Sequence, residues 1–326
     1  MGPHTRFPRS RTLGLALVAA LLAGVGAGAA DAAEYGTGPW VKGYTDIFGG
    51  IVPPQQGLYV RNDAYHYEGE VNATVFNGRI ALGVEQNYLA DILALTYVTP
   101  WKILGGTYAV ALAPSLLQMN VGVAAQLPGG TLPGPLGLRI PTLTITAIDH
   151  ELSQGDTAFA PLVLGWNAGN FHWNFALFGF APTGEYSTRQ LANTSLNHWA
   201  IMPRLAATYF NPKTGWQVNG AAIYSYNFEN PATDYKTGEI LNLEGAVTKN
   251  FGPLGVGAVG YAMIQTTPDS GTGARFGAFE SEVYGAGPII TYSMGGLTLL
   301  AKWYAEFGAE NTFEGNVVDA AATFKF

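Results

Sequence analysis

Five charged residues lie within stretches in which apolar and polar residues alternate, and each takes a polar position in that alternation. They are Arg204, Glu244, Lys302, Glu306 and Asp319. If these stretches are strands of a barrel, the alternation places all five side chains in the interior. There they can pair as salt bridges, or form a polar constriction that selects what passes. Both interpretations stay open, and Lys302 and Asp319, on neighbouring strands, are expected to pair.

Apolar and aromatic residues share the interior positions with these charges. They are Phe178, Phe180, Ile223, Val259, Tyr261, Met263 and Tyr304. An inward lining of aromatic and methionine side chains suits an apolar or aromatic solute better than a hydrated ion. Close packing of a narrow barrel interior explains the same residues equally well. The candidate transport path consists of the five charged residues together with Phe178, Phe180, Tyr261, Met263 and Tyr304.

Three other patterns resemble chemical sites, and each has a simpler explanation. The run Gly255–Gly260 has the spacing of a dinucleotide-binding loop, but it lies inside an alternating strand and no helix follows it. Residues 149–151 (Asp-His-Glu) point to opposite sides of an extended chain, which favours a solvated polar loop over a metal site. No hydrolase signature surrounds His172, Ser225 and Glu244. We therefore predict no enzyme activity, no metal site and no cofactor.

The alternation also indicates which face of each strand meets lipid. In Trp216–Glu229 one face is an apolar row with aromatic residues at both ends, whereas the other carries polar residues such as Gln217 and Asn219. Leu297–Phe307 and the last strand repeat this pattern. Aromatic residues at both ends of an apolar face are typical of the two interfaces of a membrane. A soluble β-sandwich also alternates but seldom carries such aromatic ends.

Twelve such segments follow residue 56, joined by connections that alternate between short and long. The segments are 57–69, 87–99, 105–125, 155–166, 170–181, 198–210, 216–229, 238–250, 254–266, 279–292, 297–307 and 316–326. The short connections are Trp101–Gly105, Gly165–Asn170, Asn211–Gly215, Asn250–Pro253 and Ser293–Gly296, and the long ones are Gln126–Ser153, Pro182–Asn197, Asn230–Gly238, Thr267–Ala278 and Gly308–Gly315. Short periplasmic turns and long outer loops characterise outer-membrane barrels.

We therefore predict an all-β fold, a transmembrane antiparallel up-and-down β-barrel of about 12 strands that occupies residues 57–326. Segments 70–86 and 139–149 could each hide a further strand, which together would give fourteen. Pro161, Pro203 and Pro288 interrupt predicted strands, where each lacks a hydrogen-bond donor, and they predict bulges or kinks.

The first 32 residues read as a cleaved signal peptide. Three arginines precede an uncharged run that ends in the small-residue pattern Ala30-Asp31-Ala32. A retained membrane anchor is the alternative. The chain has no cysteine and a net charge of −7, so disulfides are excluded and nucleic-acid binding is not expected. The expected location is the outer membrane, and the expected partners are its lipid, the barrel assembly machinery and a small hydrophobic solute.

Residues 33–56 separate the signal peptide from the first strand. The segment is rich in glycine and proline and contains Tyr35, Trp40, Tyr44 and Phe48. It is either a periplasmic tail or a plug within the lumen, and its aromatic residues favour the plug.

The chain end carries aromatic residues at period two, Phe324 and Phe326, on the lipid face of the last strand. We interpret the pair as an assembly signal. Phe326→Ala is expected to lower the amount of barrel in the outer membrane while export across the inner membrane continues. The measurement is the heat-modifiable band in outer-membrane fractions, and an unchanged band would contradict the interpretation.

Short motifs across the mature chain resemble one family of proteobacterial outer-membrane proteins. They are Pro53-Pro54-Gln-Gln-Gly57-Leu-Tyr59 with Asn62 and Tyr65-His-Tyr67, Gly155-Asp156 with Gly165-Trp166, Ala181-Pro-Thr-Gly-Glu-Tyr186, Gly287-Pro288 and the terminal phenylalanine. The family is named for the MetA pathway of phenol degradation. The resemblance implies an outer-membrane barrel associated with aromatic catabolism and presumed to admit hydrophobic substrates. Residues 127–147 fit the pattern less well.

Taken together, these observations predict a channel for passive uptake of small hydrophobic, mainly aromatic, compounds. A general or ion-selective porin is one alternative, and a structural or adhesive barrel is another. The inward apolar residues distinguish a channel for hydrophobic compounds from a porin. The long loops are rich in glycine, threonine and asparagine and contain no repeats, which suits lids better than adhesive surfaces.

Overall fold

The computed structural model describes residues 34, 36–76, 79–127, 130–131, 139–140, 143–275 and 280–325. The predicted signal peptide and Phe326 lie outside them. The strands are β1 (Gly57–Phe76), β2 (Arg79–Ile103), β3 (Gly106–Ala113), β4 (Ser115–Leu127), β5 (Gly130–Thr131), β6 (Arg139–Ile140), β7 (Leu143–Gln154), β8 (Thr157–Ala168), β9 (Phe171–Ala181), β10 (Ala200–Asn211), β11 (Trp216–Asn227), β12 (Ile240–Phe251), β13 (Leu254–Gln265), β14 (Glu282–Met294), β15 (Leu297–Glu310) and β16 (Glu314–Lys325). None of the described residues belongs to a helix long and apolar enough to cross a membrane.

Twelve of these strands close into an antiparallel barrel. Around the ring the order is β1, β16, β15, β14, β13, β12, β11, β10, β9, β8, β3 and β2, and β2 pairs again with β1. Closure gives every strand two hydrogen-bonded neighbours, so the ring presents no open edge to lipid. The predicted fold, an all-β outer-membrane barrel with 12 strands, is confirmed.

Two further strands lengthen the barrel wall on one side. β2 is 25 residues long, and it pairs with β3 through its second half and with β4 through its first half. β4 pairs in turn with β7. Residues 70–86 therefore prolong β1 and β2 rather than forming a separate strand, whereas 139–149 contain the first half of a separate strand, β7.

Two of the predicted long connections are wrong in part. Within 126–153 the chain is strand again from Leu143, and within 308–315 β15 continues to Glu310 while β16 starts at Glu314. Gly308 and Gly315 suggested a loop at 308–315. The backbone of Gly315 nevertheless stays in the ladder, opposite Gly69. All five predicted short connections are tight turns.

The tight turns share one end of the barrel, which we call the turn end, and the longer connections share the other, the loop end. Gly215 shows why one of these turns needs glycine, because its φ is 77° and a Cβ there would lie 2.3 Å from the carbonyl oxygen of Asn250. Short turns of outer-membrane barrels face the periplasm, so the loop end is the outer end.

Side chains alternate between interior and exterior as the sequence predicts. On β11, for example, Gln217 and Asn219 are buried, whereas Trp216 and Val218 are exposed on the face that meets lipid. The register of β8 against β9 shifts next to Pro161, so the bulge predicted there is present. Pro203 and Pro288 are accommodated without a register shift.

Candidate functional site

Residues 36–56, which we call the lumen segment, run through the barrel interior from the loop end to the turn end. Just before it, the carboxylate of Glu34 accepts a hydrogen bond of 2.9 Å from Asn230, in the connection between β11 and β12. Further along, the backbone N–H of Gly50 donates to Thr208 near the turn end of β10, at 2.9 Å. The backbone carbonyl of Gln55 accepts from the hydroxyl of Tyr59 where β1 begins.

Asp46 is the centre of the main charged contact between the lumen segment and the wall. Its two carboxylate oxygens accept from the guanidinium of Arg61 on β1 at 3.0 and 2.9 Å. One of them also accepts from the ammonium of Lys302 on β15 at 2.7 Å. Lys302 in turn contacts Asp319 on β16 at 3.1 Å, which is the pair expected from the sequence. Arg61 also binds Asp63, and we call these five residues the Asp46 cluster.

Two further wall carboxylates hold the lumen segment by its polar groups. Glu244 on β12 accepts from the indole N–H of Trp40 at 2.9 Å and from the backbone N–H of Thr45 at 2.7 Å. Glu306 on β15 pairs with the ammonium of Lys42 and accepts from the hydroxyl of Tyr67 at 2.8 Å.

These contacts explain why a buried acidic set is tolerated in the interior. Each carboxylate has a cation or neutral donors within hydrogen-bond distance, and such pairing is what burial of a charge requires. The hydroxyl of Tyr261 completes the set at Glu306, at 2.5 Å. The contacts reach strands on several sides of the ring, so the segment is held across the lumen.

All ten residues of the candidate transport path lie on the interior face of the barrel. Glu244, Lys302, Glu306 and Asp319 make the contacts described above, and Tyr304 donates to the backbone carbonyl of Gly43 at 3.0 Å. Phe178 contacts Trp40 with ring centroids 5.4 Å apart, and the guanidinium of Arg204 lies 5.4 Å from the Phe178 ring. Phe180 packs in the cluster around Trp40, and Met263 packs with Ile240 and Val283.

The other patterns noted in the sequence do not assemble into chemical sites. Asp149 lies on β7, not in a loop, and its carboxylate accepts from the backbone N–H of Leu191 at 2.9 Å. His172 lies at the turn end of β9 and Ser225 near the loop end of β11, so they cannot cooperate. Gly255–Gly260 lies within β13. Among the described residues, no group of His, Asp and Glu is arranged to hold a metal ion.

A cavity of about 140 Å³ opens between the loop-end half of the lumen segment and the wall. Its lining is dominated by aromatic and apolar side chains. The aromatic members are Trp40, Tyr65, Tyr67, Tyr88, Phe180 and Phe313, and the aliphatic and sulfur-containing members include Ile92, Leu117 and Met119. Concave, mainly apolar sites with a few polar groups are the usual form of small-molecule sites in proteins.

The connection between β9 and β10, residues 182–199, covers this cavity and is held by Asp156. That carboxylate accepts from the backbone N–H groups of Gly184 at 3.0 Å and Leu196 at 2.8 Å. Burial raises the pKa of Asp156 above its ordinary value, and the hydrogen bonds from Leu196 and Gly184 oppose that rise. Residues 193–196 of the same connection line the cavity.

A family model described as "Putative MetA-pathway of phenol degradation" matches residues 61–321. The chain belongs to this family. The match runs from within β1 to within β16 and confirms the resemblance that the short motifs indicate. A comparison with curated proteins finds no significant match.

Solved outer-membrane barrels are similar in fold to this member of the MetA-pathway family. An outer-membrane channel from Pseudomonas putida F1 gives a TM-score of 0.58 at 14% identity, with 85% of this chain and 100% of that chain covered. A FadL homologue from Pseudomonas aeruginosa gives 0.42 at 10% identity, with 92% and 100% covered. The β domain of the Bordetella autotransporter BrkA gives 0.41 at 10% identity, with 83% and 99% covered. The first of these supports the outer-membrane barrel fold.

Several interior residues of this family member are not predicted from the sequence. On β1, Arg61, Asp63, Tyr65 and Tyr67 follow one another at period two on the interior face, a signal that the alternation already contains. By contrast, Lys42 and Asp46 lie in a segment without regular secondary structure. Lys302 is 256 residues from Asp46, and Glu306 is 264 residues from Lys42, so no local pattern marks either pair.

Proposed function

We propose that the protein is a channel for passive entry of small hydrophobic, mainly aromatic, compounds through the outer membrane. The observation that carries the proposal is the aromatic cavity at the loop end, which lies between the lumen segment and the barrel wall. The name of the matching family and the channel from Pseudomonas putida F1 support the same reading. The lumen segment acts as a plug that leaves no wide aqueous path.

The interior described above favours an apolar solute over an ion. Transfer of an aromatic molecule from water into contact with aromatic side chains is favourable. A hydrated ion must shed water next to apolar walls, and the carboxylates of Asp46, Glu244 and Glu306 already contact a cation or hydrogen-bond donors. We also propose that the protein is not an enzyme, because the candidate catalytic residues His172 and Ser225 lie at opposite ends of the barrel.

The test combines uptake with conductance. Cells that carry the protein are expected to take up phenol or toluene faster than cells that lack it, while the purified protein gives low conductance in planar bilayers. Arg204→Met is expected to change ion conductance more than aromatic uptake. Ala176→Phe, which adds bulk two residues from Phe178 on the same interior face, is expected to do the reverse.

Lys213→Met, in the turn between β10 and β11, is the control and is expected to change neither property. A large, steady ion conductance combined with no effect on aromatic uptake would refute the channel for hydrophobic compounds and support a porin.

A further inference from the structure

The cavity at the loop end has the capacity for one small ring. Its volume of about 140 Å³ is close to the roughly 150 Å³ of an apolar protein cavity that binds one benzene molecule. A second fused ring exceeds this volume, so it would have to project out of the cavity or displace side chains, and close-packed interiors resist displacement.

The rings that line the cavity are fixed before any solute arrives. Tyr88 stacks on Tyr65 and Tyr67, with centroids 6.0 and 5.3 Å apart and interplanar angles of 18° and 29°. Trp40 is held by its hydrogen bond to Glu244. Such rings offer faces and edges to a planar guest, and because they are ordered already, binding loses little side-chain entropy.

Charge at the cavity disfavours an anion. Lys42, the cation among the described lining residues, already pairs with Glu306. Asp156 presents a carboxylate whose hydrogen bonds come from neutral donors, among them the backbone N–H groups of Gly184 and Leu196 and the side chain of Ser195. An aromatic carboxylate would enter without a cation to compensate its lost hydration, and it would approach groups of its own sign.

Gln86 provides a polar group for a neutral guest. Its side chain is only 7% exposed and lines the cavity. Within the part of the chain that the structure describes, its amide nitrogen contacts the sulfur of Met119 at 3.8 Å. A thioether is a weak acceptor, so a guest with a hydroxyl group improves on this contact.

We infer that the cavity binds one neutral, single-ring aromatic molecule and that Gln86 hydrogen-bonds a hydroxyl group on that ring. This rests on the proposed function, because it names the solute class that the channel admits. The site excludes two-ring compounds by volume and aromatic carboxylates by charge.

The experiment measures binding to the purified full-length protein in detergent by ligand-observed saturation-transfer NMR. Phenol is expected to bind, whereas benzoate and 1-naphthol bind at least about tenfold more weakly. Ala90→Phe fills the cavity, since Ala90 is buried in its lining, and is expected to abolish phenol binding. Ala301→Phe makes the same change on the exposed outer face of β15 and is expected to keep it.

Gln86→Leu serves as a second variant if Ala90→Phe does not fold. It is expected to weaken phenol binding roughly three- to tenfold while toluene binding stays the same. The inference is overturned if Ala90→Phe binds phenol like the unaltered protein, if benzoate binds as well as phenol, or if Gln86→Leu weakens neither ligand. If the unaltered protein binds phenol but does not speed its uptake, the channel is contradicted and the site is kept. If the unaltered protein speeds uptake but binds no phenol, the site is contradicted and the channel is kept.

Discussion

Deletion of residues 36–50 is expected to raise the single-channel conductance about tenfold or more. These residues fill the lumen and cover the charges of Glu244, Lys302 and Glu306. Without them those charges line an open, hydrated path, which is the environment that ions need to pass. The strands keep their backbone hydrogen bonds to one another, so the barrel persists as a pore. The measurement is conductance in planar bilayers with protein purified from outer membranes.

Asp46→Asn is the matched, smaller change. It weakens the contacts to Arg61 and Lys302 but keeps every other contact of the lumen segment, so brief openings are expected rather than a permanently open pore. Both variants must show the heat-modifiable band of a folded barrel. If the deletion variant folds and conducts no better than the unaltered protein, the lumen segment does not limit ion flow.

Lys302→Met is expected to lower the free energy of unfolding by about 3–5 kcal/mol, the usual effect of removing one partner of a buried ion pair. The side chain of Lys302 is fully buried and its ammonium touches both Asp46 and Asp319. Methionine fills similar space without the charge, which leaves two buried carboxylates with fewer compensating groups. The measurement is urea-induced unfolding of the protein in detergent micelles.

Lys213→Met is the control, because Lys213 lies exposed in the turn between β10 and β11. It is expected to change the free energy of unfolding by no more than about 0.5 kcal/mol. Addition of Asp319→Asn to Lys302→Met should restore part of the loss, because it removes one of the stranded carboxylates. Equal stability of Lys302→Met and Lys213→Met would show that the Asp46 cluster contributes little.

The sequence predicts the barrel well because lipid and lumen impose opposite demands on successive residues. A strand such as β11 must present apolar side chains outward and polar ones inward, so its faces can be read directly. The same rule places all ten residues of the candidate transport path in the interior. It fails in the extended part of β1 and β2, where Glu68, Glu70 and Glu85 are exposed. Without the apolar outward row that β11 shows, that stretch loses the pattern that marked the other strands.

The contacts of the lumen segment could not be predicted from the sequence. Its aromatic residues suggest docking, but the partners of Lys42 and Asp46 depend on which strands meet in three dimensions. The aromatic cavity is hidden for the same reason. It is assembled from Trp40, from Tyr65 and Tyr88 on β1 and β2, and from residues 193–196, and only the closed barrel brings these parts together.

The Asp46 cluster also bears on how the ring closes. The first and last strands meet at a seam, where Tyr59 to Glu70 pair with Glu314 to Lys325, and contacts of such high contact order form slowly. Asp46 bridges this seam, because it binds Arg61 on the first strand and Lys302 beside the last one. If the seam closed around an empty lumen, these two cations would face water and lack the carboxylate they share. The contacts of Asp46 therefore favour closure of the ring around the lumen segment over closure around water, so that the earliest part of the barrel-forming chain is enclosed by the latest.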